Sequence, residues 1–133
     1  MTQQIRLLLP QWAIDNVILL NVHLNGRILI RMMLDTGAKY TIITPSVARE
    51  LNLDLKKARR VPLTTATQLE RAALISIEQM DVSGFVLRQV ETAVMDLPAA
   101  LGVDGLLGMS FLKRCRLTLD APKRILDLAA DAD

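Results

Sequence analysis

The chain has 133 residues, the span of one ordinary domain, and 51% of them are hydrophobic, enough for a sizeable core. Sixteen basic residues against 14 acidic ones leave a net charge of +2, and aromatics make up only 3%. That balance excludes a nucleic-acid binder built on a basic surface with stacking aromatics. Cys115 is the only cysteine and His23 the only histidine, which excludes an intrachain disulfide and a zinc site and suits a reducing compartment. The apolar stretches are interrupted by Asn21, His23, Asn25 and Arg31, short of the ~18 residues of a transmembrane helix. Pro10 and Gln11 break the pattern of a secretory leader. The expectation is a cytoplasmic protein with no membrane segment and no nucleic-acid partner.

In chain order, residues 17–24 form an aliphatic run, Asn25-Gly26 follows, and a second aliphatic run covers 28–34. Asn-Gly between two such runs predicts a β-hairpin. Thr41-Ile42-Ile43 predicts a short strand. Thr44-Pro45 then predicts a helix start, with Thr44 as N-cap, an apolar face of Val47, Ala48 and Leu51, and Asn52 as the stop. The basic cluster Lys56-Lys57 and Arg59-Arg60 reads as a solvated helix end or loop. Residues 61–82 hold two apolar stretches around a polar centre, Thr64 to Arg71, which reads as a hairpin tip or mobile loop. Ser83-Gly84 marks a turn before a strand through Val94-Met95, and 98–102 is a loop. Gly105-Leu106-Leu107-Gly108 is short and very apolar, and Ser110 is placed to cap one helical turn through Arg114. Residues 117–120 and 124–128 predict a last hairpin, with 129–133 frayed. Many short strands with one or two short helices predict an all-β protein, a small closed barrel forming a single domain with its core at about 15–128.

The chemistry concentrates in Leu34-Asp35-Thr36-Gly37-Ala38, which follows the apolar run 28–33. Asp-Thr-Gly is an ordinary turn sequence, and by composition it occurs by chance in on the order of a few per cent of chains this long. At the end of a strand it also places a carboxylate, a hydroxyl and a glycine together. Two facing carboxylates that share a proton can hydrolyse a peptide: one takes a proton from water and the other polarises the carbonyl. Gly37 suits such a turn because it reaches backbone angles other residues avoid and lets loops approach closely. The chain contains one Asp-Thr-Gly, so a partner aspartate must come from elsewhere.

Taken with Thr64-Thr65-Ala66 and Val103-Asp104-Gly105-Leu106-Leu107-Gly108-Met109-Ser110-Phe111-Leu112, the Asp35 motif resembles the retropepsin-like aspartic proteases, and most closely the bacterial single-domain members of this retroviral-type family. The resemblance covers roughly 15–128. It implies an aspartic endopeptidase acting on polypeptides without a cofactor, as a two-fold homodimer in which each chain contributes Asp35. Thr36 would bond across the dimer, Gly37 would bind substrate backbone, and Ala38 would line the site. Thr65, Ala66 and Thr67 would belong to a flap closing over the substrate. The terminal hairpin would lie in the interface or core. Two departures stand out: residues 64–71 contain no glycine, and Lys39 stands where viral members often carry an acid.

Other candidates are weaker. Asp104 is also followed by glycine, but it lacks the hydroxyl and turn spacing of the first loop. Cys115 has no base beside it and reads as a buried thiol. Ser46 and Ser110 are explained by helix starts, and neither sits in a Gly-x-Ser-x-Gly elbow. Tyr40 and Trp12 suit either a groove or ordinary packing. The competing readings are a non-catalytic dimeric peptide-binding module of the same fold, and a structural or adaptor β-domain in which Asp-Thr-Gly is only a turn.

Overall fold

The computed structural model describes residues 2–64 and 69–131. Among these residues ten strands form two sheets, accompanied by two short α-helices and two single 3₁₀ turns. β2 (Leu19–Leu24) and β3 (Ile28–Leu34) are the predicted first hairpin. Asn25 and Gly26 turn it with φ of 54° and 62°, the left-handed conformation that this pair tolerates best. Arg27 N donates to Leu24 O across the turn, at 3.0 Å.

Along the larger sheet the strands run β2, β3, β8 (Gly105–Leu107), β4 (Thr41–Ile43), β7 (Phe85–Val94), β6 (Leu69–Val82) and β5 (Arg59–Thr64). β2 also pairs with β6 through His23–Asp81 and Leu24–Met80, so the six strands from β2 to β6 close into a barrel and β5 stays outside as an edge. Closure gives those six a partner on each side. β3–β8 and β4–β7 pair in parallel, and the other neighbours pair antiparallel.

Alternation explains the barrel interior. In β2, Leu20, Val22 and Leu24 are buried while Asn21 and His23 face out, which confirms His23 as an ordinary strand residue. β8 is buried on every residue, as expected for a short strand between two others. The main core includes Leu24, Met32, Ile77, Leu107, Phe111 and Leu126. Helix α1 (Pro45–Glu50) begins and ends as the sequence predicts: Thr44 Oγ1 accepts from Val47 N at 3.4 Å, and Asn52 takes φ of 57° beyond the last turn. Helix α2 (Met109–Leu112) is pinned to β7 by the tilted Phe85–Phe111 ring pair, with centroids 6.3 Å apart.

The second sheet corrects the expectation for both ends of the chain. β1 (Thr2–Leu8), which lies outside the predicted core, pairs antiparallel with β10 (Ile125–Asp131), and β10 pairs with β9 (Arg116–Asp120). Residues 129–131 are therefore strand and not a frayed tail, and Ala130 is buried. Sequence patterning missed this because the strands stabilise each other across more than a hundred residues of chain. Gln3 ties the sheet to the barrel: its amide donates to Val86 O at 2.6 Å and accepts from Val86 N at 2.9 Å.

On the same sheet Arg6 forks onto Asp127, directly opposite, at 2.8 and 2.9 Å. The hydrogen bond and charge of Arg6 hold the Asp127 carboxyl below its ordinary value of 3.8. A group with a depressed folded pKa adds stability that is complete above its unfolded pKa and lost as pH falls through the folded one. Melting curves of wild type and Asp127→Asn are thus expected to differ by a small constant amount at neutral pH, and the gap should close as pH is lowered through the range below 3.8. An unchanged gap in acid would show that Asp127 acts through something other than its charge.

Candidate active site

The strand order dictates where Asp35 sits. β3 and β4 both flank β8, one parallel and one antiparallel to it, so the chain from Asp35 to Tyr40 must cross the C-terminal end of β8. Hydrogen bonds fasten that crossing. Asp35 N donates to Leu107 O at 3.0 Å, Ala38 N to Asp35 O at 3.2 Å, and Met109 N to Ala38 O at 2.8 Å. The Asp35 carboxylate folds back over the turn, with Oδ1 accepting from Gly37 N at 2.9 Å. Asp35 is half-buried, whereas Thr36 and Gly37 are exposed at the tip.

Gly37 does not use the backbone freedom expected of it: its φ is outside the left-handed region. What it supplies is closeness, since a β-carbon there would stand 3.3 Å from Asp35 Oδ1. Gly108, beneath the crossing, is more tightly confined. A β-carbon on Gly108 would press on the carbonyls of Tyr40 and Ala38, and one on Gly105 would lie 2.5 Å from Ile42 O.

Two buried hydroxyls complete the support. Thr41 Oγ1 accepts from Gly108 N at 3.2 Å, Ser110 Oγ accepts from Thr41 N at 2.8 Å, and Ser110 Oγ donates to Glu91 O at 2.6 Å. Ser110 is therefore not the helix cap the sequence predicts: Gly108 occupies the N-cap position, and Ser110 is the second residue of the helix, joining α2 to β4 and β7. The signal in the sequence was a hydroxyl within an apolar run at both Thr41 and Ser110, where burial demands a partner. Ser110→Ala strands the Thr41 N–H and the Glu91 carbonyl, so a loss of about 1–3 kcal/mol is expected in chemical denaturation. Retained stability would mean that water replaces the hydroxyl.

Asp35 opens onto a groove of about 1090 Å³. A second, small apolar cluster of Ile42, Ala72, Ala93 and Leu106 lies behind it, with Tyr40, Leu63 and Met95 packed against that cluster. Gly37, Ala38, Lys39 and Tyr40 line one side, and Pro62, Leu63, Thr64 and Glu70 from β5 and β6 line another. The segment from Met95 to Pro98 adds a third wall. The apolar wall residues were not singled out by sequence reasoning, because nothing local distinguishes a groove-facing Leu63 or Met95 from a core residue. Trp12 does not line the groove but lies under the Arg31 guanidinium, 4.7 Å from the ring centroid.

Asp35 therefore lines an open cleft and does not simply point into solvent, as the turn residue of an adaptor would. Asp104, which precedes Gly105, is exposed and absent from the groove wall; its backbone N–H donates to Arg31 O at 2.9 Å. Cys115 is partly buried beside Leu112 O, and burial pushes its thiol pKa up, which suits a structural residue. No cluster of metal-ligating side chains occurs among the described residues. No helix among them is long and apolar enough to cross a membrane. Thr65, Ala66 and Thr67, the expected flap residues, lie outside the described residues; β5 and β6, which lead to them, pair as an antiparallel hairpin.

A closed barrel whose Asp-Thr-Gly turn crosses the end of a buried Gly-Leu-Leu strand, beside an open cleft, has the architecture of an acid protease. Residues 20–114 match the model of the family described as "gag-polyprotein putative aspartyl protease". Among solved structures, the chain is similar to a retropepsin-like aspartic protease from Rickettsia conorii, with a TM-score of 0.72 and 27% identity over 98% of this chain and 92% of that one. A search of curated proteins finds no match. The chain belongs to the retropepsin-like aspartic proteases and is an aspartic endopeptidase.

Proposed function

We propose that the chain hydrolyses peptide bonds as a homodimer, with Asp35 from each of two copies forming one catalytic pair. The observation that carries this reading is the half-exposed Asp35 turn at the mouth of the groove, on a chain with a single Asp-Thr-Gly. A two-fold axis beside the exposed tip supplies the second carboxylate without further sequence. Two carboxylates that close cannot both ionise readily, so the pair holds one proton. The ionised member accepts a proton from water as the water attacks the scissile carbonyl carbon. The protonated member hydrogen-bonds the carbonyl oxygen and stabilises the developing charge. The proton then passes to the leaving nitrogen as the C–N bond breaks.

In the same reading Thr36 bonds to its counterpart loop, an assignment supported by its exposure at the turn. Gly37 and Ala38 receive substrate backbone beside Asp35, and Thr65, Ala66 and Thr67 close as the flap at the end of the β5–β6 hairpin. The test is assembly. Peptidase activity per chain is expected to rise with concentration and to level off where light scattering gives the mass of two chains. Full activity from a species with the mass of one chain would rule the shared pair out.

A further inference from the structure

The groove is lined by apolar residues and by the charged Asp35, Lys39, Glu70 and Asp96. Lys39 is exposed on the wall, with its ammonium 5.4 Å above the Tyr40 ring. Tyr40 in turn packs against the apolar cluster behind the groove, so the cation rests on a fixed support. Lys39 has no ion pair with any described residue. The other charges on the wall, Asp35, Glu70 and Asp96, are all acidic.

Their placement follows from the sheet. β4 and β7 run parallel, with Thr41 beside Thr92 and Ile43 beside Val94. Lys39 lies two residues before β4, and Asp96 lies two residues beyond the end of β7. The cation and this carboxylate therefore flank opposite ends of the strand pair, and Ile42, Met95 and Leu106 line the wall between them.

We propose that Lys39 is a specificity-determining residue that selects polypeptides with an acidic side chain next to the apolar residue seated in the groove. The inference rests on the peptidase reading above and adds a substrate preference to it. A substrate carboxylate beside Lys39 gains an ion pair with an ammonium that makes none with the described residues. The same carboxylate near Asp96 meets like charge, so the acid is favoured beside Lys39.

The test uses matched peptides that differ by Glu against Gln at each position flanking a cleaved bond. At one position wild type is expected to prefer Glu by about two- to fivefold in kcat/KM, the range of an exposed ion pair. The preference should shrink as salt is raised. Lys39→Gln should bring the ratio to about one, and Lys39→Glu should invert it so that Gln is preferred over Glu. The same peptide pairs are then titrated into Asp35→Asn chains with and without Lys39→Gln, where fluorescence anisotropy reads binding without turnover. A Glu/Gln ratio near one in wild type, or a ratio that survives Lys39→Gln, overturns the proposal. Selective binding that depends on Lys39, without cleavage by wild type, overturns the peptidase reading and leaves the selection by Lys39 standing.

Discussion

Asp35→Asn is expected to lower kcat/KM by on the order of 10²–10⁴-fold while leaving the fold intact. The amide keeps an oxygen to accept the Gly37 N–H, whose bond to Oδ1 is 2.9 Å, so the turn retains its shape. It cannot take a proton from water, and in a dimer of two variant chains both carboxylates of the pair are then missing. Unfolding curves of the two proteins should therefore coincide while peptide cleavage differs. Mixing sharpens the result. If each active unit needs Asp35 from both chains, activity after subunit exchange falls as the square of the wild-type fraction. A fall in simple proportion would show that one chain carries the whole site. Peptidase activity that survives in pure Asp35→Asn would remove Asp35 from the chemistry.

The second large effect belongs to a residue with no functional group. Gly108→Ala is expected to destabilise the chain by about 3 kcal/mol and to reduce activity further than stability alone accounts for. Gly108 has φ of −101° and ψ of −168°, ordinary extended backbone, so alanine meets no torsional obstacle. The obstacle is space: its β-carbon would lie 2.9 Å from Ala38 O and closer still to Tyr40. Those neighbours are backbone, which cannot swing aside as a side-chain end could. Relief requires lifting the Asp35–Tyr40 crossing off β8, and this moves Asp35 along with it. A urea midpoint equal to wild type would show that the crossing yields without cost.

Much of this was legible because the signals were local. Asn25-Gly26 specifies its hairpin through backbone angles that few other pairs tolerate, and both residues take φ above 50°. Thr44-Pro45 starts α1 because a side-chain oxygen and a fixed φ are properties of those residues alone. The Asp-Thr-Gly motif marked the site, and the apolar 105–108 segment marked its support, since neither composition recurs elsewhere in the chain.

Where the reading went astray, the deciding partner was distant in sequence. Thr2–Leu8 has too little apolar character to declare itself, and it becomes strand because β10 offers it an edge. Ser110 looked like a cap within its own segment, yet its hydroxyl bonds to Thr41 and Glu91. Gly37 was expected for torsional freedom and close approach, and only the second is used: a β-carbon there would crowd Asp35 Oδ1.

The sequence by itself determined the Asp35 carboxylate and its place at a strand end, because these depend on residue type and near neighbours. Only the tertiary structure decided that β8 lies between β3 and β4, so that the Asp35 turn must cross Gly108 and is pinned there by Thr41 and Ser110. It also decided that Lys39 and Asp96, both on the groove wall, flank opposite ends of the β4–β7 pair, which requires these strands to run parallel. Strand order and direction come from burying many apolar faces at once, a condition that no short stretch of sequence contains.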